Sequence, residues 1–265
     1  MKKILTNRIF QLIVVAICVG VIIYEGFALY RDQKEYGVAD SEYETLVTGV
    51  MGEAQNDGEA PAPVDPTKPY PNLRVNYSML KGVNEDFTAW IYYPYLGINY
   101  PVVHEKNVDE YLHVTFDGTP NKSGCLFTDV MSTEDFSGYH DMIFGHNMRN
   151  GSMFGQIKKL GQSDERENVS QNPYIYIYTP DYVYEYEIFA YYVTTVGSDA
   201  YSVVTSKEEY DTFVNFIKSH TIYDIPKDVD FSEYPSILTL STCNGQSGSG
   251  RRFVIHSVKV NTWEN

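Results

Sequence analysis

The sequence predicts a mainly β domain, a barrel or sandwich of short strands with few helices, behind one N-terminal membrane helix. Three observations predict it. Tyr174–Tyr178 alternates Tyr with Ile, the period-2 pattern of a strand, and short apolar runs of similar length recur along the chain. The 24 tyrosines and 13 phenylalanines favour pleated surfaces, where aromatic rings pack well. An uncharged run from Ile9 to Tyr24, rich in Ile and Val, follows Lys2, Lys3 and Arg8.

The 265 residues suffice for one ordinary domain with attachments. A 43% hydrophobic and 21% charged composition is that of a globular chain rather than a disordered one. The formal net charge of -15 repels phosphate backbones and sets nucleic acid aside as a partner.

Taken in order, residues 1–8 read as a cytoplasmic tail and 9–30 as a transmembrane signal-anchor. The span extends beyond the uncharged run through Gly26–Tyr30, with Glu25 near the outer interface. Bulky Phe27, Leu29 and Tyr30 offer no small-x-small cleavage site, so the anchor is expected to be retained. The positive flank places the N-terminus in the cytoplasm and everything after Tyr30 outside. Residues 31–72 read as an acidic, Pro-rich stalk, with nine acidic residues against three basic ones. Within it Asp40–Val50 suits a short helix, with Tyr43, Leu46 and Val47 at helical spacing. Gly52–Asn72 holds five prolines and reads as an extended spacer.

Residues 73–265 carry the folded domain. A short helix over Met79–Trp90 is expected to pack Leu80, Val83, Phe87 and Trp90. Strand-like runs follow at Ile91–Tyr95, Tyr100–Val103, Cys125–Phe127, Met142–Phe144 and Tyr174–Tyr178. The turn at Pro180-Asp181 leads into one or two strands over Tyr182–Val196. Lys207–His220 is an amphipathic helix with Tyr210, Phe213, Val214 and Ile217 on one face, and Ser206 and Glu209 have capping-box spacing. Strands Ile237–Thr242 and Phe253–Val260 flank a Gly/Ser-rich loop, and no internal repeat is found.

Three cysteines bear on chemistry. Cys18 lies in the apolar run. Cys125 and Cys243 fall in the exported part, where a disulfide between them is one reading. The other makes Cys243 a nucleophile, because a strand delivers it to the edge of a flexible loop. That loop returns through Arg251 and Arg252, and a nearby guanidinium favours thiolate and can donate to an oxyanion. Strand alternation points the two arginines to opposite faces, so only one should enter a site. Of His104, His113, His140, His146, His220 and His256, His146 stands out, because it follows the apolar stretch Met142–Phe144 and a glycine at a strand end. A lone histidine in such a place is usually a surface or structural residue. No Cys-x-x-Cys, His-Glu-x-x-His or acidic calcium loop occurs, and Asp129–Asp135 and Asp164–Glu167 read as solvated loops.

Several segments in fixed order carry a resemblance. They are Thr239-Leu240-Ser241-Thr242-Cys243 with an arginine nine residues on, and Ile143-Phe144-Gly145-His146-Asn147-Met148 with Ser152-Met153-Phe154 after it. Asn99–Val103, Lys122–Asp129 and the helix before the cysteine agree with them. Over residues 73–260 the chain resembles the sortase family of cysteine transpeptidases, class B in particular. The resemblance implies a closed β-barrel with peripheral helices. It implies Cys243 as nucleophile, His146 as general acid and base, and Arg252, which directly precedes Phe-Val-Ile, as the arginine that positions substrate and oxyanion. Arg251 then faces solvent. Leu240, Ser241, Thr242 and Asn147 are the implied substrate-binding residues, with no cofactor and no metal. Cys125 departs from the family pattern and is read as a buried free thiol, and Asn244 brings no charge beside the nucleophile.

The implied substrates are exported proteins with a C-terminal motif similar to Asn-Pro-x-Thr-x, and the implied acceptor is a cell-wall peptidoglycan amine. Three other readings stay open. In a pilus-assembling sortase the acceptor is a pilin lysine, although Asp65-Pro66-Thr67 lacks the aromatic residue of a class C lid. A thiol protease would resolve the thioester with water. A non-catalytic surface module would keep only the fold.

Overall fold

Eight strands close into a barrel in the computed structural model, which describes residues 8–51, 68–227, 229–245 and 248–265. The strands are β1 Phe87–Tyr93, β2 Ile98–His104, β3 Leu126–Thr128, β4 His140–Phe144, β5 Tyr174–Tyr178, β6 Tyr182–Thr195, β7 Ile237–Cys243 and β8 Arg251–Glu264. Around the barrel they run β1-β2-β3-β4-β7-β8-β6-β5. Two neighbouring pairs, β2/β3 and β4/β7, are parallel and the others antiparallel. A parallel pair needs a crossover connection, here the long excursion from β4 to β7 that contains β5, β6 and a helix.

Side chains of alternate register fill the interior, among them Trp90, Ile143, Tyr191, Leu238, Leu240, Phe253 and Ile255. Of the alternating Tyr residues of β5, Tyr174 is exposed, but Tyr176 and Tyr178 are buried rather than facing water as period-2 patterning alone would have it. Tyr178 is fully buried and its hydroxyl bonds the Pro71 carbonyl, because the chain at Tyr70–Pro71 covers that outer face. Tyr70 itself stacks on Trp263 at 4.8 Å between ring centroids. A second core lies outside the barrel, where Tyr210, Phe213, Val214 and Ile217 pack on Phe189, Val254 and Val258.

The helix that supplies this outer layer is Lys207–His220, as its periodicity predicts. Ser206 accepts from the Glu209 amide at 3.3 Å, while the Glu209 carboxylate reaches back to the Thr205 amide at 2.8 Å, one residue earlier than in a standard capping box. The helix expected over Met79–Trp90 is a correction: it spans only Tyr77–Val83 and Asn84 ends it. Phe87 and Trp90 are strand residues of β1, where the β-branched and aromatic run Phe-Thr-Ala-Trp-Ile-Tyr-Tyr prefers the pleat.

The N-terminal helix, α1, is longer than the apolar run. It extends from Arg8 to Met51 without interruption, and it is long and apolar enough to cross a membrane. The stalk expected over 31–72 is therefore helical to Met51, and part of it is packed rather than free. Ala39 and Tyr43 are buried, and Tyr43 meets Tyr100 edge-on at 5.4 Å. The Tyr43 hydroxyl donates to the Gly124 carbonyl at 2.7 Å. Asp40 accepts from Asn150 at 2.9 Å, Glu42 from the Asp117 amide at 2.9 Å, and Lys122 bridges to Asp32 and Glu35. The acidic residues that read as a solvated stalk are thus in part the polar rim of a docked face. The Pro-rich stretch 52–67, with Asp65-Pro66-Thr67, lies outside the described residues, as do 1–7.

Candidate active site

The parallel pairing of β4 with β7 decides where the chemistry can be. In register, His140 to Phe144 lie beside Ile237 to Ser241, so both strands end at the same rim of the barrel. The tie continues past the last strand pair: the Gly145 amide donates to Ser241 O at 3.2 Å, and Thr242 Oγ1 donates to Gly145 O at 2.7 Å. His146 and Cys243 therefore emerge from adjacent strand ends. On the other side of β7, Cys243 is the direct antiparallel partner of Arg252. Opposed residues of such a pair project from the same face, so the guanidinium and the thiol share one side of the sheet.

His146, Cys243 and Arg252 all line one open groove of about 600 Å³. Cys243 is an exposed free thiol. Arg252 is half-buried and donates to the Arg251 carbonyl at 3.1 Å, whereas Arg251 is exposed and absent from the groove. Val108, Val130, Met131 and Val196 give the groove exposed apolar walls, the surface that suits peptide side chains.

His146 is held by a backbone acceptor. Its Nε2 lies 2.6 Å from the Leu112 carbonyl, and since a carbonyl can only accept, Nε2 carries the proton and Nδ1 is the free basic atom. Burial pushes the imidazole below the ordinary histidine range, the Leu112 bond opposes this, and His113, stacked at 5.5 Å, adds to the lowering. The histidine is thus neutral near pH 7. Gly145 before it has no room for a side chain: a Cβ would lie 2.7 Å from Phe154 Cδ2 and collide with Leu126. The glycine is what lets the chain turn His146 into the groove.

The other sequence-predicted residues divide. Ser241 and Thr242 line the groove, with Ser241 Oγ 2.9 Å from the Tyr201 hydroxyl. Asn147 does not line it; its amide donates to Cys243 O at 2.9 Å and its carbonyl accepts from Lys158 at 3.0 Å, so it braces the end of β7. Leu240 is a correction. It is fully buried in the barrel core, because strand alternation turns it inward between Thr239 and Ser241. His140 and His256 are buried and lie outside the groove. Cys125 is a buried free thiol, its pKa pushed up to about 12 by burial.

Sequence reasoning missed Tyr201, Leu112 and Glu105. Tyr201 ends a one-turn helix, Asp199–Tyr201, capped by Ser198, and its ring stacks on Phe144. Leu112 acts through its carbonyl, for which no side-chain pattern exists. Glu105 follows a recognisable strand and its burial has no sequence signal.

Known proteins match this sequence and fold. The family model described as a sortase domain matches residues 91–260. The chain belongs to the sortase family. Sortase B of Listeria monocytogenes is 31% identical over 168 residues, which cover 62% of this chain and 65% of that protein, slightly under two thirds of its length. Clostridium perfringens sortase B, solved by X-ray, superposes with a TM-score of 0.63 at 28% identity over 69% of this chain and 99% of that one. Sortase B from B. anthracis, in complex with AAEK2, gives a TM-score of 0.63 at 28% identity, covering 88% of this chain and 97% of that chain. The sortase is thus class B-like by its relatives, and the barrel rim described above falls within the matched domain.

Proposed function

We propose that this chain is a membrane-anchored cysteine transpeptidase that cleaves a C-terminal sorting motif of exported proteins. It passes the acyl group, through a Cys243 thioester, to an amine of the cell wall. The observation that supports the reading most is the shared rim, with Cys243 between His146, just past the end of the parallel neighbour, and Arg252 on the antiparallel one. Membership of a family whose relatives here carry the name sortase B supports it further.

The proton inventory closes. Neutral His146 accepts the Cys243 proton at Nδ1, and the thiolate attacks the scissile carbonyl. Arg252 and backbone amides stabilise the oxyanion. Imidazolium His146 then protonates the departing amine, the peptide C–N bond breaks and the thioester remains. The incoming amine attacks the thioester and gives its proton to Nδ1, and the thiolate leaves to be reprotonated. Ser241 and Thr242 contact the bound peptide, and Asn147 keeps Cys243 in place. The substrates are exported proteins bearing a motif similar to Asn-Pro-x-Thr-x, the acceptor is a peptidoglycan-precursor amine, and the catalytic domain lies outside the cell with the N-terminus inside.

The test uses the full chain in detergent micelles with quenched sorting-motif peptides, with and without an amine acceptor. Cleavage with an amine-dependent ligated product is expected, and Cys243→Ala should lower it by at least 10³-fold, about the scale on which loss of a covalent nucleophile acts. Cleavage that survives Cys243→Ala would sink the nucleophile. Product that forms equally without amine would identify a protease, and product only with pilin lysine a pilus assembler.

A further inference from the structure

One wall of the groove is the segment from Glu105 to Leu112, which also supplies the carbonyl that holds His146. Its geometry depends on a carboxylate inside it. Glu105 is only 2% exposed. Its Oε2 accepts from the Asp109 amide at 3.3 Å and its Oε1 from the Tyr111 amide at 3.2 Å, closing the turn on itself. The Glu105 amide donates to Thr128 O at 3.1 Å, so the clamp is tied to the end of β3. From the other side the Cys125 amide donates to Tyr111 O at 3.2 Å, and Gly124, at φ +58°, lets the backbones meet: a Cβ there would lie 2.6 Å from Leu112 O. The Leu112 carbonyl is thus placed between two backbone supports, one of which hangs on a single buried acid. Asp109 sits at φ +62°, a left-handed conformation that Asp adopts more readily than most non-glycine residues, and its carbonyl accepts from the Leu112 amide at 3.3 Å, which passes the geometry of the clamp on to Leu112.

We propose that Glu105 is a positioning residue for the reaction: by holding the 109–111 turn it fixes the Leu112 carbonyl that sets the tautomer and aim of His146. This rests on the reading of His146 as the acid and base. The ionised acid accepts both amides, whereas the protonated acid turns one of its oxygens into a donor and weakens the clamp. Burial pushes the Glu105 pKa up to about 7, the two backbone amides oppose the shift, and Asp109 and Glu110 raise it further. The charged and titratable groups around it are Lys106, Asp109 and Glu110 on its own segment, Asp129 beyond β3, and His146, Cys243 and Arg252 across the groove. The clamp is complete above pH 7 and loosens below it.

The test compares the full-length chain with Glu105→Gln in micelles, following peptide cleavage from pH 5.5 to 8.5 and the ring nitrogens of 15N-histidine-labelled protein. In the unmutated chain His146 should show a protonated Nε2 and an unprotonated Nδ1. In Glu105→Gln one amide loses its acceptor, and a mixed tautomer is expected. With it kcat should fall about tenfold, within the range that misplacement of a reacting group produces, and the rise in activity around pH 7 should be absent. Glu105→Gln with the original tautomer and pH profile overturns the proposal, even if it lowers thermal stability. Should that variant not fold, the unmutated chain still decides: the tautomer ratio of the neutral His146 ring should change together with the Tyr111 amide around pH 7, and a tautomer ratio that stays constant while the Tyr111 amide shifts overturns it. Because the tautomer is read without turnover, a failure of His146 as acid and base, seen as an active His146→Ala, is distinguishable from a failure of the clamp.

Discussion

Gly145 shows how little freedom one position can have. It stands between a buried strand and the histidine, with the Phe154 ring where a side chain would go. Gly145→Ala forces that ring or the backbone to move, an overpacking cost of about 1–3 kcal/mol. The displaced backbone is the one that carries His146. Peptide cleavage should therefore fall well beyond what the loss in melting temperature accounts for. Gly82→Ala is the contrast, because nothing lies within 4 Å of a Cβ on that helical residue. It should leave activity unchanged and raise stability by about 0.5–1 kcal/mol, the helix preference of Ala over Gly. Equal effects of the two substitutions, measured by thermal melts and cleavage rates, would refute the steric account.

Between the outer helix Lys207–His220 and the sheet runs a buried polar chain that links four strands, β4, β7, β8 and β6. His140 Nδ1 donates to Ser202 O at 2.8 Å, so its Nε2 accepts from Thr239 Oγ1 at 2.7 Å. Thr239 in turn accepts from His256 Nδ1 at 2.7 Å, and His256 Nε2 accepts from the Tyr192 hydroxyl at 3.0 Å. Every proton in the chain has one direction, and both histidines are neutral. Burial lowers the His140 pKa to about 4 and that of His256 well below the ordinary value, His140 adding to the latter. At these two groups the unfolded chain binds more protons than the folded one between about pH 4 and 6.5, so their contribution to stability falls as pH drops through that window, while the raised Glu105 acts in the opposite sense. Thr239→Val strands one nitrogen of each histidine and should cost about 1–3 kcal/mol at pH 7.5. Urea melts of Thr239→Val at pH 7.5 check the cost, and melts of Glu105→Gln, which removes the opposing carboxylate, at pH 7.5 and 5.0 check the window; a stability of that variant that does not change between those pH values counts against the neutral chain. This is also where sequence reading reached its limit. Lys207–His220 and Tyr174–Tyr178 were legible to the residue, because amphipathic and alternating periods are local. Phe87 and Trp90 misled, because their spacing fits a helix while only pairing with β2 and β5 makes them strand. Cys243, His146 and Arg252 were legible as motif residues. Leu112 and Glu105 were not, since one acts through its backbone and the other through a burial that depends on distant packing.

At the scale of the whole chain, the anchor and the barrel are one body of packing rather than beads on a string. The face of α1 that carries Ala39 and Tyr43 is part of the main core, with Tyr36, Leu46 and Val47 beside it. Tyr43→Ala removes a buried ring and its bond to Gly124, and should cost about 3–5 kcal/mol, as truncations of buried aromatic side chains do. It should also open the 31–51 segment to protease at neutral pH, where the unmutated chain resists. Unchanged melting and unchanged cleavage by protease would show that the helix is not docked in solution.

A 44-residue helix rises about 66 Å, roughly twice the hydrocarbon thickness of a bilayer. Its far half is clamped along the barrel, so no swivel separates lipid from catalyst. The groove then has a set height and compass bearing relative to the membrane plane. Where the apolar half crosses a bilayer, a polypeptide held in that same membrane searches for the groove in two dimensions, at the height the helix sets.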